Sequence, residues 1–157
     1  LFLDPSRDPL GGGYHLLQSK IAIGSGGLLG TGILRGKLTY LQFIPEQHTD
    51  FIFSALGEEL GFLGCISVLL LFFVLIRQLI NISKEARSDF ESLIVVGIVS
   101  TFLFQIIINL FMTIGLGPVT GIPLPFMSYG RTSLLVNFTL VGFALSIFKR
   151  TRSLRKR

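Results

Sequence analysis

The 157-residue chain is half hydrophobic, has no Trp and carries a formal net charge of +5, with a mean hydropathy of +0.69. That is too apolar for an ordinary soluble domain of this length and points to a bilayer as solvent. Six of the fourteen basic residues fall between Lys149 and Arg157, which excludes a nucleic-acid groove as the reason for the charge and suits a juxtamembrane tail. Cys65 is the single cysteine, so an internal disulfide, a CxxC redox pair and a cysteine zinc site are all excluded.

Residues 1–50 are predicted to form a loop outside the membrane with short helical segments. They are rich in glycine, including Gly24, Gly26, Gly27, Gly30, Gly32 and Gly36, and such loops let backbone N–H groups approach phosphate. A nucleotide site is nevertheless rejected. Gly36 and Lys37 are followed by Leu38, and Thr31 stands where the first glycine of a P-loop belongs.

The run FIPEQHTDFIF, Phe43 to Phe53, gathers Glu46, His48, Thr49 and Asp50 directly ahead of an apolar helix. On residue pattern alone, Thr49 or Asp50 reads most simply as the helix N-cap, and His48 as a solvated loop residue. Glu58 follows Asp50 by about 12 Å of helix, a poor match for the paired carboxylates of a glycosidase. Glu46, Asp50 and Glu58 leave a divalent cation open, but their spacing matches no known ligand set, and no metal ligand or cofactor is assigned.

Three predicted membrane spans follow, at 51–80, 93–114 and 126–148, each near the roughly 20 apolar residues that cross about 30 Å of hydrocarbon. The first is built on the uncharged Leu60 to Ile76. Its segment CISVLLLFFVLI is apolar all round, unlike the one-sided helices of a soluble core. The second is interrupted by Ser100, Thr101, Gln105 and Asn109, and the last three share one stripe. Either the stripe hydrogen-bonds to a neighbouring helix, with Asn137 the candidate partner, or it walls a polar cavity. The third span carries Arg131 near its start.

Lys84 and Arg87 lie in the connector 81–92 with Arg77 close by, and the basic tail 149–157 follows the last span, so both segments are placed on the cytoplasmic side. The uncharged connector 115–125 is too rich in Gly and Pro for a helix. It and residues 1–50, where Arg7, Lys20, Arg35 and Lys37 are thinly spread, are placed outside.

Three motifs carry a resemblance: QSKIAIGSGGLLGTG from Gln18 to Gly32, FIPEQHTDFIFSALGEELGFLG from Phe43 to Gly64, and GPVTGIPLPFMSYG from Gly117 to Gly130. Together they resemble the SEDS family of shape, elongation, division and sporulation proteins, its elongation branch more than its division branch. The resemblance implies an all-α integral membrane fold of ten transmembrane helices with both termini cytoplasmic. This chain would supply the last three helices and the large outer loop. It further implies a place in the bacterial cytoplasmic membrane and an activity, the polymerisation of lipid II, a polyprenyl-pyrophosphate disaccharide peptide, into glycan strands during elongation. The implied partners are a class B penicillin-binding protein and other membrane proteins of the elongation complex.

The family's proposed catalytic aspartate falls on Asp50. Gln18, Ser19, Lys20, Glu46, His48 and Thr49 lie in the same motifs and are expected to meet substrate. Pyrophosphate is a good leaving group, so one carboxylate base suffices. Lys20 is favoured over Arg35 and Lys37 to stabilise the departing charge, because it lies inside a motif.

The chain departs from the family pattern at Arg131 and Thr132, where small residues usually follow SYG. It also begins at Leu1 without a signal sequence, which gives the expectation that upstream helices are missing and that the fragment is inactive alone. Two rival readings are a lipid II flippase, which would need ionisable or unwound elements at mid-membrane depth, and a non-catalytic scaffold. Spans one and two read as containing no such elements.

Overall fold

A computed structural model describes residues 12–32 and 50–155, with side chains described over 16–32 and 50–152. Among these residues the regular structure is helical: α1 (Gly12–Gly26), α2 (Ile52–Glu85), α3 (Asp89–Ile114) and α4 (Arg131–Arg155). α2, α3 and α4 are each long and apolar enough to cross a membrane. Only 11% of the most apolar window of α4 is buried within the chain, so most of that surface is built for a non-aqueous surrounding rather than for the chain's own core.

α2 and α3 form a tight antiparallel hairpin. Ser88 caps α3 by accepting the Phe90 N–H, and Asp89 and Glu91 place negative charge at the positive end of the helix dipole. Across the turn, the Ser83 and Ser92 hydroxyls lie 3.0 Å apart. At its other end α3 stops on Gly115 in the left-handed conformation, whose N–H bonds to the Met112 carbonyl. Ile76, Leu79, Val95, Ile98, Val99, Phe102 and Ala144 make the core where α2, α3 and α4 meet. A second cluster of Phe53, Cys65, Phe72, Ile106 and Leu124 lies nearer the Asp50 end.

α4 differs from the predicted third span at both ends. It starts at Arg131 because Phe126 adopts φ 61°, a left-handed conformation that a helix cannot accommodate and that costs about 1–2 kcal/mol. The Phe126 ring packs against Phe102 and Phe138, with centroids 5.7 and 5.4 Å away, which holds the turn. At the far end the helix continues through the basic segment to Arg155. Lys and Arg are good helix formers, and cations suit a helix C-terminus.

α2 is not one continuous helix. Gly61 has φ 66° and ψ −163°, which interrupts the ladder. The freed groups are taken up by the glycine segment that follows α1. Phe62 and Leu63 donate their N–H groups to the Gly27 and Leu28 carbonyls, at 2.9 and 3.2 Å. Thr31 and Gly32 donate to the Glu58 and Glu59 carbonyls, at 2.9 and 3.0 Å. The backbones must nearly touch to do this. A Cβ at Gly26 would lie 1.8 Å from the Gly57 carbonyl oxygen, and one at Gly30 would lie 2.1 Å from that of Glu59. Gly26, Gly27, Gly30 and Gly32 therefore serve helix docking rather than phosphate approach.

The interruption is an unwound element within the predicted first span 51–80. It does not sit at mid-span, however. The part from Phe62 to Glu85 is long enough by itself, at about 1.5 Å per residue, to cross the hydrocarbon. The break thus lies towards the Asp50 end.

Gly30→Ala should destabilise the protein by about 2 kcal/mol or more, since it combines a left-handed φ with backbone overlap. Gly97→Ala, where nothing lies within 4 Å of the added Cβ, should be neutral or stabilising by up to about 1 kcal/mol. Thermal unfolding in a neutral detergent compares the two.

Candidate active site

Asp50 stands immediately before α2 and is half-buried. The N-cap position belongs to Phe51, which provides no side-chain cap, so the helix starts one residue later than an Asp50 cap requires. Two carbonyls converge on one amide here. Asn109 Nδ2 donates to the Asp50 carbonyl at 2.9 Å and to the Ile122 carbonyl at 2.8 Å. Asn109 is wholly buried near the end of α3 and so staples the entry of α2 to the connector 115–125.

That connector lies against the carboxylate itself. A Cβ at Gly121, which has φ 66°, would stand 3.3 Å from Asp50 Oδ2. The polar stripe on α3 therefore divides. Asn109 binds backbone on the site side, whereas Thr101 is exposed and back-bonds to the Gly97 carbonyl of its own helix. Asn137 is buried at 3% exposure, and its Oδ1 has no partner among the described residues. The expected bond between Asn137 and the stripe is thus absent among them.

Ser19 and Lys20 bring α1 to the same end. Ser19 is fully buried, 2.5 Å from the Ser54 hydroxyl and donating to the Thr113 carbonyl at 2.7 Å. Expected among the substrate contacts, it joins α1, α2 and α3 here. Lys20 is exposed, and its stem crosses the end of α3. A Cβ at Gly115 would fall 2.3 Å from Lys20 Cε and 2.6 Å from Nζ, so the ammonium sits at the negative end of the α3 dipole. Gln18 is half-buried on α1. Arg35, Lys37, Glu46, His48 and Thr49 lie outside the described residues.

A cavity of about 600 Å³ opens beside this arrangement, lined by Ile52 and the segment from Phe126 to Arg131, with Leu134. Ser128 Oγ, on its wall, accepts the Leu124 N–H at 2.7 Å, fixing the turn. Arg131 is the first residue of α4, where a cation opposes the helix dipole by about 0.3–1 kcal/mol. Among the described residues no three His, Cys, Asp or Glu side chains come together as a metal site. Glu58 is buried at 1% exposure in the joint between α2 and the glycine segment, and its carbonyl takes both the N–H and the hydroxyl of Thr31.

The sequence matches the FtsW, RodA and SpoVE family, described as cell cycle protein, over residues 1–153. The chain belongs to this family. It is 44% identical to peptidoglycan glycosyltransferase MrdB of Escherichia coli K12, over 99% of this chain and 42% of that protein. It is also 44% identical to peptidoglycan glycosyltransferase RodA of Treponema pallidum, over 94% of this chain and 34% of the relative. Stage V sporulation protein E of Bacillus subtilis stands at 44% as well, with 96% and 41% covered. Among solved structures, the fold is similar to a chain of a peptidoglycan synthase complex that coordinates polymerization and crosslinking. The TM-score is 0.79 at 31% identity, covering 96% of this chain and 40% of that one. The chain thus spans about two fifths of the length of such relatives.

Two contributors were hidden in the sequence. Asn109 had a signal, an amide in the polar stripe of an apolar span, but not its target, because both its partners are backbone carbonyls remote in sequence. Gly121 carried only the general mark of a loop glycine.

Asn109→Asp keeps the shape but turns acceptors towards two carbonyls. The loss of both bonds should cost about 2 kcal/mol or more, read as a lowered thermal midpoint. Thr101→Val, on the exposed part of the same helix, should change it by less than about 0.5 kcal/mol.

Proposed function

We propose that the chain is the C-terminal part of a peptidoglycan glycosyltransferase that polymerises lipid II during cell elongation, with Asp50 as the general base. The observation that carries this reading is the setting of Asp50. Its backbone is stapled through Asn109 to the connector and its carboxylate lies beside Gly121, while Ile52, two residues on, lines a cavity that Arg131 also borders. A base held by its backbone needs little reorganisation when substrate arrives.

In the proposed step an Asp50 oxygen takes the proton of the acceptor sugar hydroxyl as that oxygen attacks the anomeric carbon of the donor. The bond from that carbon to the pyrophosphate oxygen breaks with inversion, and polyprenyl pyrophosphate departs with the electron pair. Lys20 and Arg131 are assigned to stabilise its charge. Gln18, Glu46, His48 and Thr49 stay proposed as substrate contacts, whereas Ser19 takes the structural role. The position of the α2 break, away from mid-span, favours polymerisation over lipid translocation. A class B penicillin-binding protein is the proposed partner, in line with the crosslinking named for the solved complex.

Asp50→Asn in the full-length protein should lower polymerisation of labelled lipid II by roughly 10²- to 10⁴-fold while the protein accumulates normally. Because Phe51 occupies the N-cap position, Asp50→Ala should fold equally well and be equally inactive. Near-normal strand synthesis by either variant would remove Asp50 as the base. Lipid movement without polymer would favour the flippase, and partner binding without either would favour the scaffold.

We also propose that the basic ends of α2 and α4 face the cytoplasm. In a Cys65→Ala background, Glu85→Cys should be shielded in intact cells from an impermeant thiol reagent that reaches the outer face. Val119→Cys, exposed in the connector, should be labelled. The reverse pattern inverts the topology.

A further inference from the structure

At the end of the bundle opposite Asp50, α2 and α4 diverge around a groove of about 1120 Å³. α4 presents Leu145, Phe148, Thr151 and Arg152 to it, and α2 presents Gln78, Asn81, Ile82, Lys84 and Glu85. On α4 these positions recur at helical spacing on one face. Their order runs from apolar to cationic as the helix leaves the hydrocarbon.

The charges in the groove are not matched internally. Arg150 is engaged by Glu91 at 3.5 Å, on the side away from the groove's lining. Lys84 and Arg152 have no carboxylate partner among the described residues, and Arg152 is held with its guanidinium 5.8 Å over the Phe148 ring. Thr151 adds a buried hydroxyl oxygen with no hydrogen-bond partner among the described residues. Glu85 is the one acid in the lining, so cations outnumber it.

We infer that this groove binds an anionic phospholipid. Its phosphate would sit between Lys84 and Arg152 with the Thr151 hydroxyl as donor, and its acyl chains would lie along Leu145 and Phe148. Two observations select this occupant over a soluble anion. The groove grades from apolar to basic along α4, and it lies where the apolar runs of the spans end; the cytoplasmic placement proposed above puts its exposed cations on the leaflet where anionic headgroups are concentrated. The inference rests on the membrane placement of α2 and α4 and is independent of the chemistry assigned to Asp50.

The test uses the purified full-length protein, delipidated in a neutral detergent and titrated with dioleoyl phosphatidylglycerol or dioleoyl phosphatidylcholine, with bound lipid counted by native mass spectrometry. The wild type should bind the anionic lipid at least tenfold more tightly. Lys84→Gln with Arg152→Gln should remove most of that preference, at roughly fivefold per charge. Lys149→Gln, an exposed site outside the groove, should change it by less than twofold. Glycerol phosphate should not compete at concentrations where the lipid binds. The inference is overturned by equal binding of the two lipids, as would follow if further helices of a longer chain fill the groove. It is equally overturned by a Lys149→Gln effect as large as that of the double variant, which marks a diffuse tail, or by full competition from glycerol phosphate, which marks a soluble-anion site.

Discussion

The arrangement hinges on a trade of backbone hydrogen bonds at Gly61. A helix that opens within or beside a membrane exposes carbonyls and N–H groups that lipid cannot satisfy, each at a cost of several kcal/mol. Here the open turn of α2 and the glycine segment after α1 satisfy one another, with donors and acceptors on both sides. The exchange fixes α1 against α2, and through Ser19 it brings α1 to the end of α3. Everything that surrounds Asp50 stands on that platform.

Upon it, the site is assembled mostly by side chains that bind backbone. Asn109 holds two carbonyls, Ser128 takes an N–H, and Ser19 takes a carbonyl. Contacts of this type set position without depending on the rotamer of a second side chain. They fix the backbone on either side of Asp50 through Asn109 Nδ2, while the Lys20 stem crosses the end of α3 and Arg131 borders the cavity. The strained Phe126 belongs to the same design, since its left-handed turn directs Arg131 to the mouth of the cavity.

The membrane helices were legible in the sequence because a bilayer demands long apolar runs, and CISVLLLFFVLI has no other reading. Their ends were less legible. Phe126 looked helical by hydropathy, and only its backbone angle shows a turn. Lys149 to Arg155 looked like a tail, although their helix propensity favours continuation. The break at Gly61 was invisible for a deeper reason. A lone glycine in an apolar span is tolerated in a continuous helix, and what opens this one is a partner segment some thirty residues upstream, from Gly27 to Gly32. The glycines of that segment were conspicuous, but composition could not distinguish a cradle for phosphate from a seat for another helix. Asp50 was prominent through its motif, whereas its staple, Asn109, became meaningful only once the chain had folded.

α4 runs without a break from the wall of the cavity lined by Ile52 and Arg131 to the basic groove at the other end. Along most of its length it is only lightly embraced by its neighbours, with a small share of its apolar window buried. One element thus contributes to both features, and the separation of cavity and groove is set by the length of a single helix, at about 1.5 Å per residue.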